Sequence, residues 1–284
     1  MSEEVKSGCA PSECGTKPAC AGCSHNHKEQ AAAPAKEPPK VRKVIAVMSG
    51  KGGVGKSLVS GELAVMLARM GYRVGVLDAD ITGPSIPKMF GMHEKAYGDG
   101  EHIFPAETEN GIKLMSINLL LDKDDAPVIW RGPVIAGAVK QFWEDVTWGE
   151  LDVMVIDMPP GTGDVPLTVF QSIPVDGVVV VSTPQDLVGM IVRKAVNMAN
   201  MMKIPVLGLV ENMSYALCPD CGKRIELFGK SRIAEEAAAL SLPVLAQLPF
   251  DPKAAQLCDE GAIETVVNPL MADAAVAVSG LVGL

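Results

Sequence analysis

Residues Gly50 to Ser57 read Gly-Lys-Gly-Gly-Val-Gly-Lys-Ser, and they constrain the fold more than any other stretch of the chain. They satisfy the pattern G-x-x-x-x-G-K-[ST], follow the apolar run Val44 to Met48, and precede a helical pattern from Leu58 to Met70. Glycines let backbone N–H groups surround phosphate oxygens, and a helix N-terminus favours an anion. The stretch therefore predicts a phosphate-binding loop between a strand and a helix. The predicted binding residues are Gly50, Lys51, Gly52, Gly53, Val54, Gly55, Lys56 and Ser57.

The residues that close this loop predict chemistry on a nucleoside triphosphate. We expect Lys56 to reach the β- and γ-phosphates and the Ser57 hydroxyl to ligate Mg²⁺. A second buried strand, Leu151 to Asp157, ends in a carboxylate, which is the arrangement that holds Mg²⁺ through its water in such sites. ATP and Mg²⁺ are therefore the expected cofactors, with Asp157 as a metal residue.

Two more carboxylates follow the apolar strand Val74 to Asp78. Ligands of parallel sheets bind just outside the carboxyl ends of the strands, where Asp78 and Asp80 fall. We expect Asp80 to orient the attacking water and Asp78 to lie nearer the Mg²⁺ shell. The alternative for both is an ordinary turn carboxylate.

Two segments near the end of the sheet predict the site of the base. Asn212 follows the predicted strand Val206 to Val210, and its amide could pair with adenine as a donor and an acceptor. Pro249 and Asp251 follow the apolar stretch Leu245 to Leu248 and could form the other wall. Loop capping is the alternative for these polar residues.

The sequence Cys218-Pro-Asp-Cys221-Gly222 supplies half of a tetrahedral metal site. The rest of the core offers one further cysteine, Cys258, which we expect to be a small buried apolar residue. A twofold dimer would supply the missing pair, with four sulfurs on the axis. A redox Cys-x-x-Cys remains the alternative, although such motifs begin a helix and this one lies in a predicted loop.

The first 42 residues are expected to form a flexible tail and linker, ahead of a domain spanning residues 43–284. Cys9, Cys14, Cys20 and Cys23 lie there with almost no apolar residues to pack, and a Pro/Ala-rich stretch follows them. An iron–sulfur cluster or zinc could organise this segment, so these four cysteines are candidate metal ligands. A loose, thiol-bearing tail is the alternative.

The rest of the chain alternates strand and helix patterns, including a predicted strand from Ile112 to Asn118. This alternation predicts an α/β fold with a parallel, doubly wound sheet of the P-loop NTPase type. The net charge of −9 disfavours nucleic-acid and anionic-membrane surfaces. The N-terminus lacks the apolar segment of a signal peptide, and no apolar run is long enough to span a membrane. We therefore expect a cytoplasmic protein, in which cysteines are metal ligands or reactive thiols more often than disulfides.

Lys51 is a second lysine early in the loop, and its position resembles that of a lysine in the deviant Walker A group, the MinD/ParA-like ATPases. The resemblance implies that Lys51 reaches across a dimer interface to the partner's nucleotide and takes part in catalysis with Lys56 and Asp80. A solvated loop lysine is the alternative.

Five motifs that occur in this order along the chain define a more specific resemblance. They are Gly50 to Ser57, Asp78-Ala-Asp80, Asp157 to Gly163, Asn212-Met-Ser-Tyr and Cys218-Pro-Asp-Cys221. Together they resemble the Mrp-type (ApbC/Nbp-like) iron–sulfur cluster carrier ATPases over residues 42–284. The resemblance implies a homodimer that hydrolyses ATP slowly, holds a [4Fe–4S] cluster between paired Cys218 and Cys221, and transfers it to apo iron–sulfur proteins.

Two rival functions fit the same motifs. A MinD/ParA-like positioning ATPase would need a basic surface or a basic amphipathic helix, and the apolar C-terminus from Leu270 to Leu284 contains no Lys or Arg. An ATPase switch with zinc on the same four sulfurs is the second rival. Metal analysis of anaerobically purified protein would separate the switch from the carrier.

Overall fold

A computed structural model describes residues 39–81, 83–93, 95–98, 102–120, 132–185 and 188–283. The strands are β1 (Lys40–Ser49), β2 (Val74–Asp78), β3 (Tyr97–Gly98), β4 (Ile103–Phe104), β5 (Ala106–Glu107), β6 (Lys113–Met115), β7 (Glu150–Asp157), β8 (Gly177–Ser182), β9 (Val206–Leu217), β10 (Arg224–Ile225) and β11 (Val244–Pro249). The α-helices are α1 (Lys56–Arg69), α2 (Ile86–Met89), α3 (Gly132–Glu144), α4 (Asp164–Ser172), α5 (Val188–Met201), α6 (Ile233–Leu240), α7 (Pro252–Asp259) and α8 (Ala272–Val282). Short 3₁₀ helices cover Ile117–Leu119, Ile263–Thr265 and Pro269–Met271.

One large sheet organises the described chain, in the order β10-β9-β8-β1-β7-β2-β6-β5, with β11 also paired to β9. All pairings among β1, β2, β6, β7, β8, β9 and β11 are parallel, whereas β5 and β10 are antiparallel to their neighbours. Strands β3 and β4 form a separate antiparallel hairpin. The predicted parallel α/β sheet is confirmed.

Helices cover both faces of this sheet, which explains why its central strands read as continuous apolar runs rather than alternating ones. One buried cluster joins the sheet to α3, α4, α5 and α6. The other joins the opposite face to α1, α2, α7 and α8. Strand β8 is buried along its whole length, as a central strand of a doubly wound sheet must be.

Two strand predictions differ from the structure. The predicted strand from Ile112 to Asn118 is shorter, because β6 ends at Met115 and a 3₁₀ turn follows. The strand predicted to end at Val210 continues to Leu217, because β9 pairs with β11 along one edge and with β10 near its end. Asn212 therefore lies within a strand and not in the loop that its neighbours suggested.

The carboxyl ends of β1, β2, β7 and β9 meet at one edge of the sheet, because these strands are all parallel to one another through their shared neighbours. The phosphate-binding loop, the acidic residues and the cysteine loop follow these ends. Among the described residues, no helix combines the length and apolar character that a membrane span requires.

Candidate functional site

The eight residues predicted to bind phosphate span the connection between β1 and α1, with Gly50 to Gly55 in the loop and Lys56 and Ser57 in the first turn of α1. Gly53 and Gly55 have φ angles of 78° and 75°, which glycine adopts readily and other residues rarely do. A Cβ at Gly55 would collide with the amide of Asn212, so that position also requires the missing side chain. Asn212 Nδ2 donates to the Val54 carbonyl at 3.0 Å, which fixes the loop against β9.

The start of the loop packs closely on α5. A Cβ at Gly50 would collide with Ile191, including its backbone carbonyl. Lys51 Nζ donates to the side-chain oxygen of Gln185, just after β8. Gly52 faces Pro160 in the loop that follows β7. The loop is therefore held between two segments, one before α5 and one after β7.

Lys56 and Ser57 converge on the predicted Mg²⁺ residue. Lys56 Nζ donates to Asp157 Oδ1 at 2.7 Å, and Ser57 Oγ donates to Oδ2 at 2.6 Å. Ser60 adds a third donor, to Oδ1 at 2.7 Å. Both oxygens of the fully buried Asp157 carboxylate are thus satisfied, and the lysine and the hydroxyl lie at one place for binding a phosphate and a cation.

Asp78 and Asp80 lie beside this group. Asp78 is paired in register with Asp157 across β2 and β7, and Ser116 donates to it at 3.2 Å. Burial, reinforced by the charge of Asp157 and opposed by Lys56, raises the pKa of Asp78 well above its usual range. Asp80 lies 3.9 Å from Lys56 Nζ. The structure therefore brings the three predicted carboxylates together around one lysine.

This donor set fits Mg²⁺, which prefers oxygen ligands and usually keeps several waters. The Ser57 hydroxyl and the Asp157 carboxylate are in direct contact, and Asp78 lies one strand away. Ser57 and Asp157 would hold the ion, with Asp78 in its outer shell. A bound Mg²⁺ would supply positive charge against the phosphate oxygens.

The predicted base residues line a cavity of about 280 Å³ beside α1. Asn212, Pro249 and Asp251 all contribute to its wall. The side chain of Asp251 also caps α7, accepting from the N–H groups of Lys253 and Ala254. Capping, the alternative for Asp251, is therefore observed together with its place in the cavity wall.

Cys218 and Cys221 occupy a β-hairpin loop. Strand β9 ends at Leu217, and β10 returns antiparallel to it with Arg224 opposite Leu217. The Cys218 N–H donates to the Lys223 carbonyl at 2.9 Å, and the Gly222 N–H donates to the Cys218 carbonyl at 2.9 Å. Cys218 is half-buried and Cys221 is exposed, so the pair lies at the surface.

The surroundings of Cys218 favour its thiolate, the form that binds metals. Backbone N–H groups of Cys221 and Asp220 and the thiol of Cys221 lower the pKa of Cys218. Cys258 differs, because burial and the nearby charge of Glu62 raise its pKa to about 11. The prediction that Cys258 is a buried residue is confirmed.

Within the described part of the chain, no group of three or more His, Cys, Asp or Glu side chains is arranged to hold a metal. One chain therefore presents Cys218 and Cys221 as a pair and not as a complete site. Cys9, Cys14, Cys20 and Cys23 lie outside the described residues.

Several residues at the site were not predicted from the sequence. Ser60 could have been identified, since it lies one helical turn after Lys56. Ser116 and Gln185 carry no local signal, because each meets its partner only through the sheet. Glu62 lies in the wall of the cavity that the predicted base residues line, which we call the base cavity. Its carboxylate accepts a hydrogen bond from Asn268, which is 206 positions away.

Comparison with known proteins places these features in a family. A family model described as "ParA: NUBPL iron-transfer P-loop NTPase" matches residues 40–280. The chain is 46% identical over 270 residues to an iron–sulfur cluster carrier protein of Clostridium perfringens, covering 90% of this chain and 95% of the relative. It is 45% identical over 263 residues to a protein of the same description from Methanococcus maripaludis, covering 92% and 90% respectively.

Solved structures agree with the fold. A nucleotide-binding protein from Archaeoglobus fulgidus in complex with ADP is 46% identical, with a TM-score of 0.73 over 81% of this chain and 90% of that one. The MinC:MinD cell division complex of Aquifex aeolicus matches at 18% identity, with a TM-score of 0.59 over 85% and 96% of the chains. The second likeness concerns the fold alone.

Proposed function

The chain belongs to the family of NUBPL-type iron-transfer P-loop NTPases, and from that premise we propose that it is a cytoplasmic, homodimeric ATPase that carries a [4Fe–4S] cluster. The cluster is the cargo, held between the Cys218 and Cys221 pairs of two subunits. Apo iron–sulfur proteins receive it. ATP hydrolysis at the phosphate-binding loop accompanies loading or release.

The incomplete cysteine pair carries this proposal. A [4Fe–4S] cluster takes four thiolates, and the described part of one chain presents Cys218 and Cys221 without a third ligand beside them. A second copy related by a twofold axis supplies the same two thiolates. The exposed hairpin loop allows the cluster to leave, which a deeply packed site would prevent.

The surface around the cysteines supports contact with another chain. Four large apolar side chains are exposed close to the cysteines in sequence, at the end of β9 and in and after β10. They are Leu217, Ile225, Leu227 and Phe228. Exposed large apolar side chains that lie near one another favour contact with a partner over a solvated surface. This surface is suited to closing around a cluster held by two chains.

The nucleotide site performs phosphoryl transfer by positioning and charge. Lys56, which contacts Asp157 and lies near Asp80, would exchange these carboxylates for the β- and γ-phosphates. Asp80 would orient the attacking water. Lys51 is held by Gln185, a neutral amide, and a phosphate of the partner's nucleotide would be a stronger electrostatic partner.

Strand β9 offers a physical connection between the two sites. Asn212 and Met213 line the base cavity, and Cys218 follows Met213 by five residues, directly after the end of this strand. Met213 has a φ of 54°, which is unusual for a residue with a side chain. The Phe250 N–H donates to the Tyr215 carbonyl at 2.7 Å, which ties the cavity wall to the strand. Nucleotide binding would thus act on the segment that carries the cysteines.

Removal of the tail is an experiment that tests the carrier function. Deleting residues 1–38 should leave a folded, ATP-binding protein, because β1 begins at Lys40. After anaerobic reconstitution it should hold about two iron atoms per chain, one cluster per dimer. The full chain should hold more if Cys9, Cys14, Cys20 and Cys23 bind a cluster. Iron and sulfide analysis with a visible spectrum measures both.

The outcomes separate the alternatives. Equal iron in the two proteins would refute a cluster in the tail. Complete loss of iron on deletion would mean that the tail completes the site of Cys218 and Cys221 and would overturn the shared cluster. Zinc in the site after iron-replete expression would favour the zinc switch. Transfer of the cluster to an apo iron–sulfur enzyme is the remaining requirement of a carrier.

Mixing two inactive variants tests Lys51. Lys51→Ala should bind ATP and hydrolyse it poorly, and Asp80→Asn should also hydrolyse poorly. If Lys51 acts on the partner's nucleotide, mixed dimers contain one site with both residues intact, and part of the ATPase activity should return. Steady-state phosphate release across mixing ratios measures this. Activity that stays at the level of the separate variants at every ratio would place Lys51 within its own subunit's site.

A further inference from the structure

A buried carboxylate lies in the wall of the base cavity. Glu62 is on α1, one turn beyond Leu58, and both residues line the cavity of about 280 Å³. Glu62 is 6% exposed. Asn268 Nδ2 donates to its Oε2 at 2.8 Å. The other oxygen, Oε1, has no hydrogen-bond partner among the residues that the structure describes.

The other polar side chains in the described wall are already engaged within the chain. Asn212 donates to Val54 and accepts from the Met213 N–H at 2.9 Å. Asp251 caps α7. Asn268 accepts from the Leu270 N–H at 3.2 Å while it donates to Glu62. Asp251 uses only Oδ1 in this cap, but its side chain is exposed. Glu62 is therefore the buried polar side chain of the described wall with an oxygen that accepts no hydrogen bond.

The negative charge around Glu62 favours a ligand that donates a hydrogen bond to it. Burial raises the pKa of Glu62 to about 7, the hydrogen bond from Asn268 lowers it, and the charge of Asp251 raises it. Oε1 opens onto the cavity and is not sealed in the core, so a ligand that fills the cavity removes it from water and must supply a hydrogen-bond donor. Adenine presents an exocyclic amino group on one edge, and a purine without that group has no donor there.

Resting on the proposed ATPase function, we propose that Glu62 is the specificity-determining residue for the base, with Oε1 accepting a hydrogen bond from the exocyclic amino group of adenine. Asn268 is a positioning residue, because its hydrogen bond occupies Oε2 and orients Oε1. Asn212, which the sequence suggested for contact with the base, lines the same cavity and also fixes the phosphate-binding loop.

The test compares ATP with purine riboside 5′-triphosphate, in which hydrogen replaces the amino group. The full-length protein should bind ATP about tenfold more tightly, because a hydrogen bond to a charged or partly charged group is lost with the analogue. Glu62→Gln should reduce this ratio to about one. Its single oxygen stays with the Asn268 donor, and its NH₂ group faces the base. Glu62→Ala should have the same effect on the ratio.

Glu235→Gln is the matched control, a carboxylate-to-amide change at an exposed position on α6, and it should leave the ratio unchanged. Titration calorimetry or fluorescent-nucleotide competition gives both affinities. Equal losses for both nucleotides in the Glu62 variants, with the ratio preserved, would mean a structural role and overturn the proposal. A wild-type ratio near one would overturn it as well. Failure of the wild type to bind ATP would instead reject the ATPase function.

Discussion

Lys56→Ala should weaken ATP binding by about a hundredfold or more, the largest loss that we expect from a single change. Lys56 is the cation nearest the acidic cluster, with its Nζ 2.7 Å from Asp157 and 3.9 Å from Asp80. A hydrogen bond to a charged group contributes about 1.5–3 kcal/mol, and Lys56 serves two phosphates. Titration calorimetry with ATP and Mg²⁺ measures the effect.

Lys56→Ala also changes the stability of the protein in the absence of nucleotide, so the experiment needs a second variant at this position. Removing Lys56 leaves the buried carboxylates Asp78 and Asp157 without their nearest cation, which should lower the melting temperature. Lys56→Gln keeps a donor of similar reach and should fold, yet it should also bind ATP weakly. Lys51→Ala is the control in the same loop and should keep ATP affinity. Affinities within threefold of wild type in folded Lys56 variants would remove this lysine from the nucleotide site.

Cys218→Ser and Cys221→Ser should each abolish cluster binding. In a dimer either substitution removes two of four ligands, so a single change leaves the cluster with only one thiolate per chain. The iron content of the tail-deleted protein should fall from about two atoms per chain to background. The loss should be similar for the two variants, because each cysteine would occur twice in the proposed twofold dimer. Iron and sulfide analysis after anaerobic reconstitution checks this.

Two comparisons make this result specific. Cys258→Ala removes a thiol from the buried face of α7 and should leave the iron content unchanged. ATP affinity should survive in Cys218→Ser and Cys221→Ser, because these side chains lie in a surface hairpin and Lys56 lies in the phosphate-binding loop. Wild-type iron in either serine variant would end the shared-cluster proposal. So would zinc that persists under iron-replete expression.

The sequence was most informative for features that depend on residues adjacent in the chain or at the ends of parallel strands. The pattern from Gly50 to Ser57, placed between a strand and a helix, predicts a phosphate-binding loop wherever it occurs. Strands that end in Asp78 and Asp157 predict carboxylates at one edge, since parallel strands align their carboxyl ends. Lys56, Ser57 and Asp157 meet as expected, at hydrogen-bond distances.

The ends of the strands were harder to predict from the sequence, because they depend on which other strands pair with them. Strand β9 continues past Val210 because β11 and β10 pair with it, and neither partner is encoded in its own residues. This extension places Asn212 against the Val54 carbonyl instead of leaving it in a loop. The predicted strand after Ile112 ends early for the same reason, since β6 has partners only from Lys113 to Met115.

The sequence alone thus determined the phosphate-binding loop, the acidic residues beside it and the unpaired Cys218–Cys221 motif, because each depends on residues adjacent in the chain or at the ends of parallel strands. Only the tertiary structure decided which polar groups are already satisfied. Three hydrogen bonds between segments distant in sequence are examples. They join Ser116 to Asp78, Lys51 to Gln185 and Asn268 to Glu62. Local periodicity carries no information about such contacts, since they arise only when distant strands pair and helices pack on the sheet.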